Sequence, residues 1–294
     1  MISISKEIFK KVLDSQGVFY QYLSKIDRNK LTTDLLNPQK AILQADILQK
    51  YTKIHGKRIL EVGSGLGVNH IVWSKLYNID GYGIEPDGEG FGESYSISIE
   101  LIKNNSLDVN KIIRATGENI PFPDNYFDIV YSTNVLEHVS NPGKVLDESM
   151  RVLKPNGTLQ FIYPNFHSFY DGHYAVMHPP IPSNNFFQWY VRTIFRRDPT
   201  FAKTLRTELN VIWTRRLIND LKKKYNFETI SMGEEIFYER MATSNFETWG
   251  GLTIIGTLLS IARRIKLNRI AAYIMLRTLS WAPIILTINK LDNE

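Results

Sequence analysis

The sequence predicts a doubly wound α/β fold: a mostly parallel sheet with helices on both faces, a helical N-terminal cap and two insertions. Three observations carry this. Five short apolar runs alternate with helical segments between residues 58 and 163, and strands separated by helices form βαβ units, hence a parallel sheet covered on both sides. The first run hands over to Gly63-Ser64-Gly65-Leu66-Gly67, at the sheet edge where open α/β folds bind ligands. The 294 residues are 43% apolar and 22% charged, enough for a substantial core and incompatible with wholesale disorder.

In chain order, residues 1–50 read as the helical cap. Ile8, Val12 and Phe19 fall near one stripe, and Asn37-Pro38 opens a second segment with Ala41, Ile42, Ala45 and Leu48 on one face. Arg58-Ile59-Leu60-Glu61-Val62 is the first strand and residues 68–77 a helix. Strands follow at 81–85, 112–115 and 127–131. A helix over 143–153 carries Leu146, Met150 and Leu153 at i, i+4 and i+7, and Pro155-Asn156-Gly157 terminates it. Thr158 to Tyr163 is the fifth strand. The rhythm then breaks. Residues 164–212 are aromatic-rich and irregular, a lid insertion longer than an ordinary βα loop. A helix near 213–225 and a strand near 227–232 precede a second, apolar and basic helical insertion over 236–281, and Pro283 to Ile288 makes the last strand. Residues 51–294 thus form one domain with two insertions.

Cysteine is absent, which excludes a disulfide framework, a thiolate zinc site and a cysteine nucleophile. The N-terminus MISISKEIFKKVLDSQG lacks the apolar run of a signal peptide, so the chain is expected to stay in the cytoplasm. The net charge is +5 and unevenly placed: residues 192–224 hold ten Lys/Arg against Asp198, Glu208 and Asp220, and 248–291 hold six with no acid. This suits an anionic surface or substrate better than a duplex-binding stripe, with a solvated basic face as the plain alternative. The apolar run Leu252 to Ala262 is too short to span a bilayer, and Ile270 to Ile288 is broken by Arg277 and Pro283. Residues 252–281 read instead as an amphipathic helix pair that caps the sheet, makes a homodimer, or lies at a membrane surface, with Arg263, Arg264, Lys266 and Arg269 as its polar belt.

Spacing decides what the glycine turn holds. The dinucleotide fingerprint G-x-G-x-x-G needs glycine at 68, which is Val68, and the phosphate-cradling G-x-x-x-x-G-K-[ST] loop is absent. What remains is Glu61-x-Gly63-x-Gly65-x-Gly67, followed by an acid, Glu85, closing the second strand. A carboxylate there can accept from both hydroxyls of a ribose.

Further motifs stand at ordered separations: Ile120-Pro121-Phe122-Pro123-Asp124-Asn125-Tyr126-Phe127-Asp128-Ile129-Val130, then Leu136-Glu137-His138-Val139, then Leu153-Lys154-Pro155-Asn156-Gly157-Thr158. With the glycine turn, they make the chain similar, over roughly residues 40–165, to the small-molecule group of class I S-adenosylmethionine-dependent methyltransferases. The resemblance implies a seven-stranded Rossmann-like sheet and S-adenosylmethionine as cofactor. It implies that Glu61, Gly63, Ser64, Gly65 and Gly67 surround the methionine part, and that Glu85 holds the ribose with Pro86 and Asp87 beside it. Glu118 or its neighbours Gly117 and Asn119 would meet the adenine, and Asn134 would line the pocket below the sulfonium. The acid that the family often has before the adenine position is missing from Ala115-Thr116-Gly117-Glu118. Where similar ubiquinone-pathway O-methyltransferases bind a divalent metal through an acid, a Glu and a His, this chain has Asn134, Glu137 and His138. One carboxylate fewer weakens a hard-cation site, so no metal is expected.

Methyl transfer from a sulfonium is an in-line displacement, and a hydroxyl acceptor benefits from a general base, for which histidine is suited. His55 precedes the first strand, at the wrong end of the sheet, and His70 reads as packing or surface. His138 follows the fourth strand, and His167, His173 and His178 lie with Asp171 in the lid; His138, His167 and His173 are the candidate bases. The cluster Arg192, Arg196, Arg197, Lys203 and Arg206 could hold phosphate or carboxylate. The leading expectation is O-methylation of a sugar or lipid-linked small-molecule acceptor in surface-glycan assembly. Alternatives are a quinone or aromatic O- or C-methyltransferase and a non-catalytic cofactor-binding subunit. Nucleic acid is not an expected partner, since neither an N-P-P-Y-type motif nor a catalytic cysteine is present.

Overall fold

The computed structural model describes residues 2–20, 27–86, 93–181, 183–243 and 267–292. Asp87 and the stretch 252–266, with Arg263, Arg264 and Lys266, lie outside them. Three helices come first: α1 (Lys6–Tyr20), α2 (Arg28–Leu35) and α3 (Pro38–Gln49). Alternation follows, with β1 (Arg58–Val62), α4 (Val68–Tyr77), β2 (Asp80–Glu85), α5 (Ser94–Asn104), β3 (Ile112–Arg114), β4 (Phe127–Thr133), α6 (Pro142–Val152) and β5 (Leu153–Tyr163). The strands form a seven-stranded sheet in the order β3-β2-β1-β4-β5-β9-β8, where β8 is Phe227–Ser231 and β9 is Ile284–Lys290. Strand β1 pairs in parallel with β2 on one side and β4 on the other, and β2 pairs in parallel with β3. The chain therefore reverses its direction of winding between β1 and β4. The carboxyl ends of those two strands are the switch point at which doubly wound sheets open a ligand crevice.

Two compact units share the chain, one comprising 1–160, 225–228 and 288–294, the other 161–224 and 229–287. In the first, β1 is buried from Ile59 onward, as a strand covered on both faces must be. Asn37 caps α3 by accepting from the Gln39 N–H, with Pro38 in the first turn. Ala41, Ala45 and Leu48 are its buried face, and the Trp73 indole donates to the Ala41 carbonyl. Helix α1 packs on α5 and β3: Ile8 and Val12 cluster with Ile97, Leu101 and Ile112, and Lys11 pairs with Glu100 at 2.7 Å.

Helix α6 ends at Val152, one residue before the expected stop, and β5 begins at once. The Pro155-Asn156-Gly157 terminator thus lies inside the strand, where Asn156 adopts a left-handed φ of 61°.

The second unit departs more from expectation. Residues 164–212 are not irregular throughout. They contain a hairpin, β6 (Tyr170–Asp171) with β7 (Val176–Met177), and helix α7 (Asn184–Thr193) capped by Ser183. The clustered aromatics Phe186, Phe187, Trp189 and Tyr190 obscure the helical period, because only Phe187 and Val191 form the buried stripe. Tyr174 organises the segment: its hydroxyl donates to the Asp198 carbonyl at 2.9 Å and accepts from the Ala202 N–H at 3.0 Å. Helices α8 (Val211–Leu221), α9 (Glu234–Thr243) and α10 (Leu267–Arg277) complete the unit. The buried Asn165 amide donates to the carbonyls of Leu279 and Trp281, and the Tyr163 hydroxyl meets Thr214 Oγ1 at 2.8 Å. Among the described residues no helix is long and apolar enough to cross a membrane.

Candidate functional site

The turn from β1 to α4 lies at the switch point. The N–H groups of Gly63 and Ser64 both donate to the Ile84 carbonyl, at 2.9 and 3.0 Å, which ties the turn to the end of β2. Gly67 closes it by donating to the Ser64 carbonyl at 2.8 Å. Gly63 has φ +71°, and a Cβ there would lie 2.3 Å from Val135 Cγ2; no side chain fits. Gly65, with φ +51°, faces open space: a Cβ would meet nothing within 4 Å. One glycine lets the β4 loop close over the turn. The other keeps a ledge of main chain bare.

Two buried carboxylates back this ledge. Glu85 accepts from the Gly65 N–H at 2.8 Å through Oε2, so the second-strand acid also fixes the loop. Burial pushes its carboxyl up to about 7, against the Gly65 hydrogen bond. Glu61 accepts from the Asn69 amide at 2.6 Å through Oε1, and that amide also donates to Gln44. Glu61 Oε2 is buried with no hydrogen-bond partner. Burial pushes Glu61 up to about 8, with the nearby Glu85 charge adding to the rise and Asn69 opposing it. Among the described residues neither acid has a cationic partner. Buried carboxylates without a cation are costly, and a ligand bringing cationic and hydroxyl donors relieves that cost. An adenosyl sulfonium with an amino-acid tail brings both, so the residues fit it.

The other expected positions divide. Ser64 is buried with its hydroxyl unpartnered, and only glycine at 83 leaves it room, since a Cβ there would lie 2.7 Å from Ser64 Oγ. Gly117 is buried between Val62 and Val145. Glu118 Oε1 accepts from the Ser140 and Asn141 N–H groups at 3.0 and 3.1 Å, so it caps the entry to α6. Asn119 and Asn134 are exposed, and Asn134 turns left-handed, with φ 53°, directly after β4. Glu137 is fully buried, and His138 Nε2 lies 4.0 Å from its Oε1.

Sequence reasoning missed a clamp. Arg151 donates to the carbonyls of Ile120 and Phe122 and to Asp124 and Glu148, while Glu148 accepts from the Ile120 N–H. This pair holds the 120–124 segment that follows Gly117–Asn119. Its signal was present as an i, i+3 acid–base pair on α6.

In the second unit, His173 Nδ1 lies 3.1 Å from Asp171 Oδ2, and Asp171 Oδ1 accepts from the Tyr174 N–H at 2.7 Å. Burial raises the Asp171 carboxyl, but the His173 ring and the Tyr174 N–H outweigh it and hold it below its ordinary value. An ionised Asp171 keeps the proton on Nδ1 and makes Nε2 the basic nitrogen. The ring stacks parallel to Phe166, with centroids 6.4 Å apart. His167 is half-buried, held through its N–H to Asn165. His178 is buried: Nδ1 meets the Pro179 carbonyl at 2.7 Å, and Nε2 has no partner. In the first unit, His55 is exposed and His70 is buried, pushed down to about 4 by burial and hence neutral. The basic cluster does not converge: Arg192, Arg196 and Lys203 are exposed, while Arg197 turns in to the Tyr174 carbonyl.

Residues 60–161 match the family model Methyltransf_11, described as a methyltransferase domain. The chain is 30% identical over 105 residues to the ubiquinone/menaquinone biosynthesis C-methyltransferase UbiE of Vibrio campbellii, an alignment that takes in 35% of this chain and 40% of that protein. Among solved structures, the fold is similar to that of phospholethanolamine N-methyltransferase 2 from Haemonchus contortus, with TM-score 0.52 and 14% identity over 99% of this chain and 61% of that one. It is also similar to the [4+2]-cyclase SpnF, with TM-score 0.50 and 16% identity over 99% and 98%. Sheet order and solved neighbours together define a Rossmann-like fold, and its residues 60–161 are similar to a methyltransferase domain. This chain spans less than half the length of the curated relative it matches, and a cyclase shares the fold, so fold alone does not name the reaction.

Proposed function

We propose that the chain is an S-adenosylmethionine-dependent methyltransferase that methylates a hydroxyl of a sugar or lipid-linked small molecule, of the kind used in surface-glycan assembly. The observation that carries the cofactor reading is the bare glycine ledge backed by two buried carboxylates, Glu61 and Glu85, that have no cationic partner among the described residues. Glu61 and the main chain of Gly63–Gly67 would hold the methionine portion, and Glu85 the ribose hydroxyls. With Glu118 engaged at the α6 entry, adenine contacts would fall to the backbone of 117–119, which the Arg151–Glu148 clamp steadies. Asn134 would line the space beside the sulfonium. Bound there, S-adenosylmethionine supplies an electrophilic methyl carbon with a good thioether leaving group. Of the candidate bases, His173 has the geometry for proton acceptance from a hydroxyl, because Asp171 sets its tautomer and stabilises the imidazolium that forms.

Calorimetric titration with S-adenosylmethionine and S-adenosylhomocysteine tests the first step, and absence of binding to a folded protein overturns the reading. A second reading, methylation of a quinone or aromatic acceptor on carbon or oxygen, draws support from the similarity to the Vibrio enzyme over the matched segment. Labelled methyl donor offered against polyprenyl-linked sugars and against quinols separates the two.

A further inference from the structure

We infer that α10 lays its outer face on an anionic bilayer surface. One side of the helix is buried and the opposite side is an exposed apolar stripe. Its inner side is fixed: Asn268 is buried, and its amide donates to the Met241 and Ala242 carbonyls at the end of α9, at 2.7 and 3.3 Å, while Ala272, one turn on, is fully buried. At about 100° per residue, Leu267, Ile270, Tyr273, Ile274 and Arg277 then share an outer arc of about 120°. The four apolar or aromatic members are 48%, 55%, 55% and 53% exposed. A surface helix ordinarily turns charged residues to that side; this one turns a contiguous apolar stripe to solvent, held there by hydrogen bonds on its inner face.

Charge identifies the occupant. Arg269 and Arg277 stand near the two ends of the stripe, and residues 248–291 contain six Lys/Arg and no acid. Arg277 Nε donates to the Tyr273 hydroxyl at 3.0 Å, and its guanidinium lies 5.2 Å from that ring's centroid. An apolar stripe, flanking arginines and an aromatic hydroxyl at one end are the pattern of a helix lying in the headgroup plane. A protein partner of similar shape would have to supply acids to match. An anionic lipid surface supplies them without specific geometry.

Co-sedimentation of the full chain with vesicles tests this, without cofactor or acceptor, so its outcome is independent of the methyl-transfer reading. Vesicles of phosphatidylcholine with phosphatidylglycerol should bind about 25-fold more tightly than phosphatidylcholine alone, from the two arginines at about fivefold each, and salt should weaken the difference. The double substitution Ile270→Ser with Ile274→Ser should lower binding by about tenfold per residue and leave the thermal transition unchanged, since both side chains are exposed. Arg269→Gln with Arg277→Gln should abolish the preference for anionic vesicles. Absence of wild-type binding overturns the inference, as does equal binding to neutral and anionic vesicles. So does a dimer, seen by light scattering, that the isoleucine substitutions dissociate, because a second copy would then cover the stripe.

Discussion

Replacing Glu61 with glutamine should stabilise the ligand-free protein while weakening its cofactor site. Glu61 ionises near 4.5 in the unfolded chain, and burial raises it to about 8 in the fold. The native state therefore binds a proton that the unfolded state releases between those values, and stability falls as pH rises through that window. At 1.36 kcal/mol per pH unit, the loss is under about 1 kcal/mol at pH 5, about 3 kcal/mol at pH 7 and nearly 5 kcal/mol at pH 9. Glutamine removes the proton uptake and keeps the hydrogen bond, because its carbonyl can still accept from Asn69. Wild type and Glu61→Gln should melt within about 2 °C of each other at pH 5, and the variant should melt about 6 °C higher at pH 7 and about 9 °C higher at pH 9, at about 2 °C per kcal/mol for a chain of this size. Glu85 shifts in the same direction over a narrower window, 4.5 to about 7, and contributes alike to both proteins below about pH 8, where Glu61 is protonated. Thermal unfolding followed by circular dichroism from pH 5 to 9 is the assay. Parallel melting curves for the two proteins would refute the reasoning, since they would mean Glu61 folds ionised.

Glu85→Gln should weaken S-adenosylmethionine binding by about tenfold or more, one charge-assisted hydrogen bond being worth about 1.5–3 kcal/mol, and calorimetry reads it directly. Cofactor binding to the wild type should release protons as both carboxylates ionise against the ligand's donors, so binding enthalpy at pH 7 should change with the buffer's ionisation enthalpy, less so in Glu61→Gln. Gly63→Ala should destabilise the fold by about 2–4 kcal/mol, from the clash with Val135 plus the left-handed backbone. Gly65→Ala should cost only about 1–2 kcal/mol yet impair cofactor binding, because its methyl would occupy the bare ledge; equal melting losses in the two would contradict that assignment. His173→Ala should lower turnover by about 10²–10⁴-fold with cofactor affinity intact. Asp171→Asn should move the acid limb of kcat/KM to lower pH, since the imidazolium loses its stabilising charge; an unmoved limb would make the pair merely structural.

The two units differ in how far the chain itself announced them, for a physical reason. Strands 58–62 and 127–131, the helix at 68–77 and the glycine turn follow from period and turn chemistry within a dozen residues, and those are local properties. The partners of Glu61 and Glu85 are less local, but the topology supplies them: Gly65 reaches Glu85 because β1 and β2 lie side by side in register. In the second unit the deciding contacts join distant residues with no shared period, such as Asn165 with Leu279 and Trp281, or Tyr174 with Asp198 and Ala202. The Asp171–His173 pair did leave a signal, an acid and a histidine two apart with glycine between, and the hairpin turn over 172–175 brings the two side chains together. The basic cluster shows the converse error. Arg192, Arg196 and Arg197 are neighbours in sequence, yet a left-handed turn at Arg196, φ 53°, separates them, and Arg197 is used by the Tyr174 carbonyl. Charges close in sequence make an anion site only when the backbone points them at one place, and here the hydrogen-bonding needs of the hairpin decide where Arg197 goes.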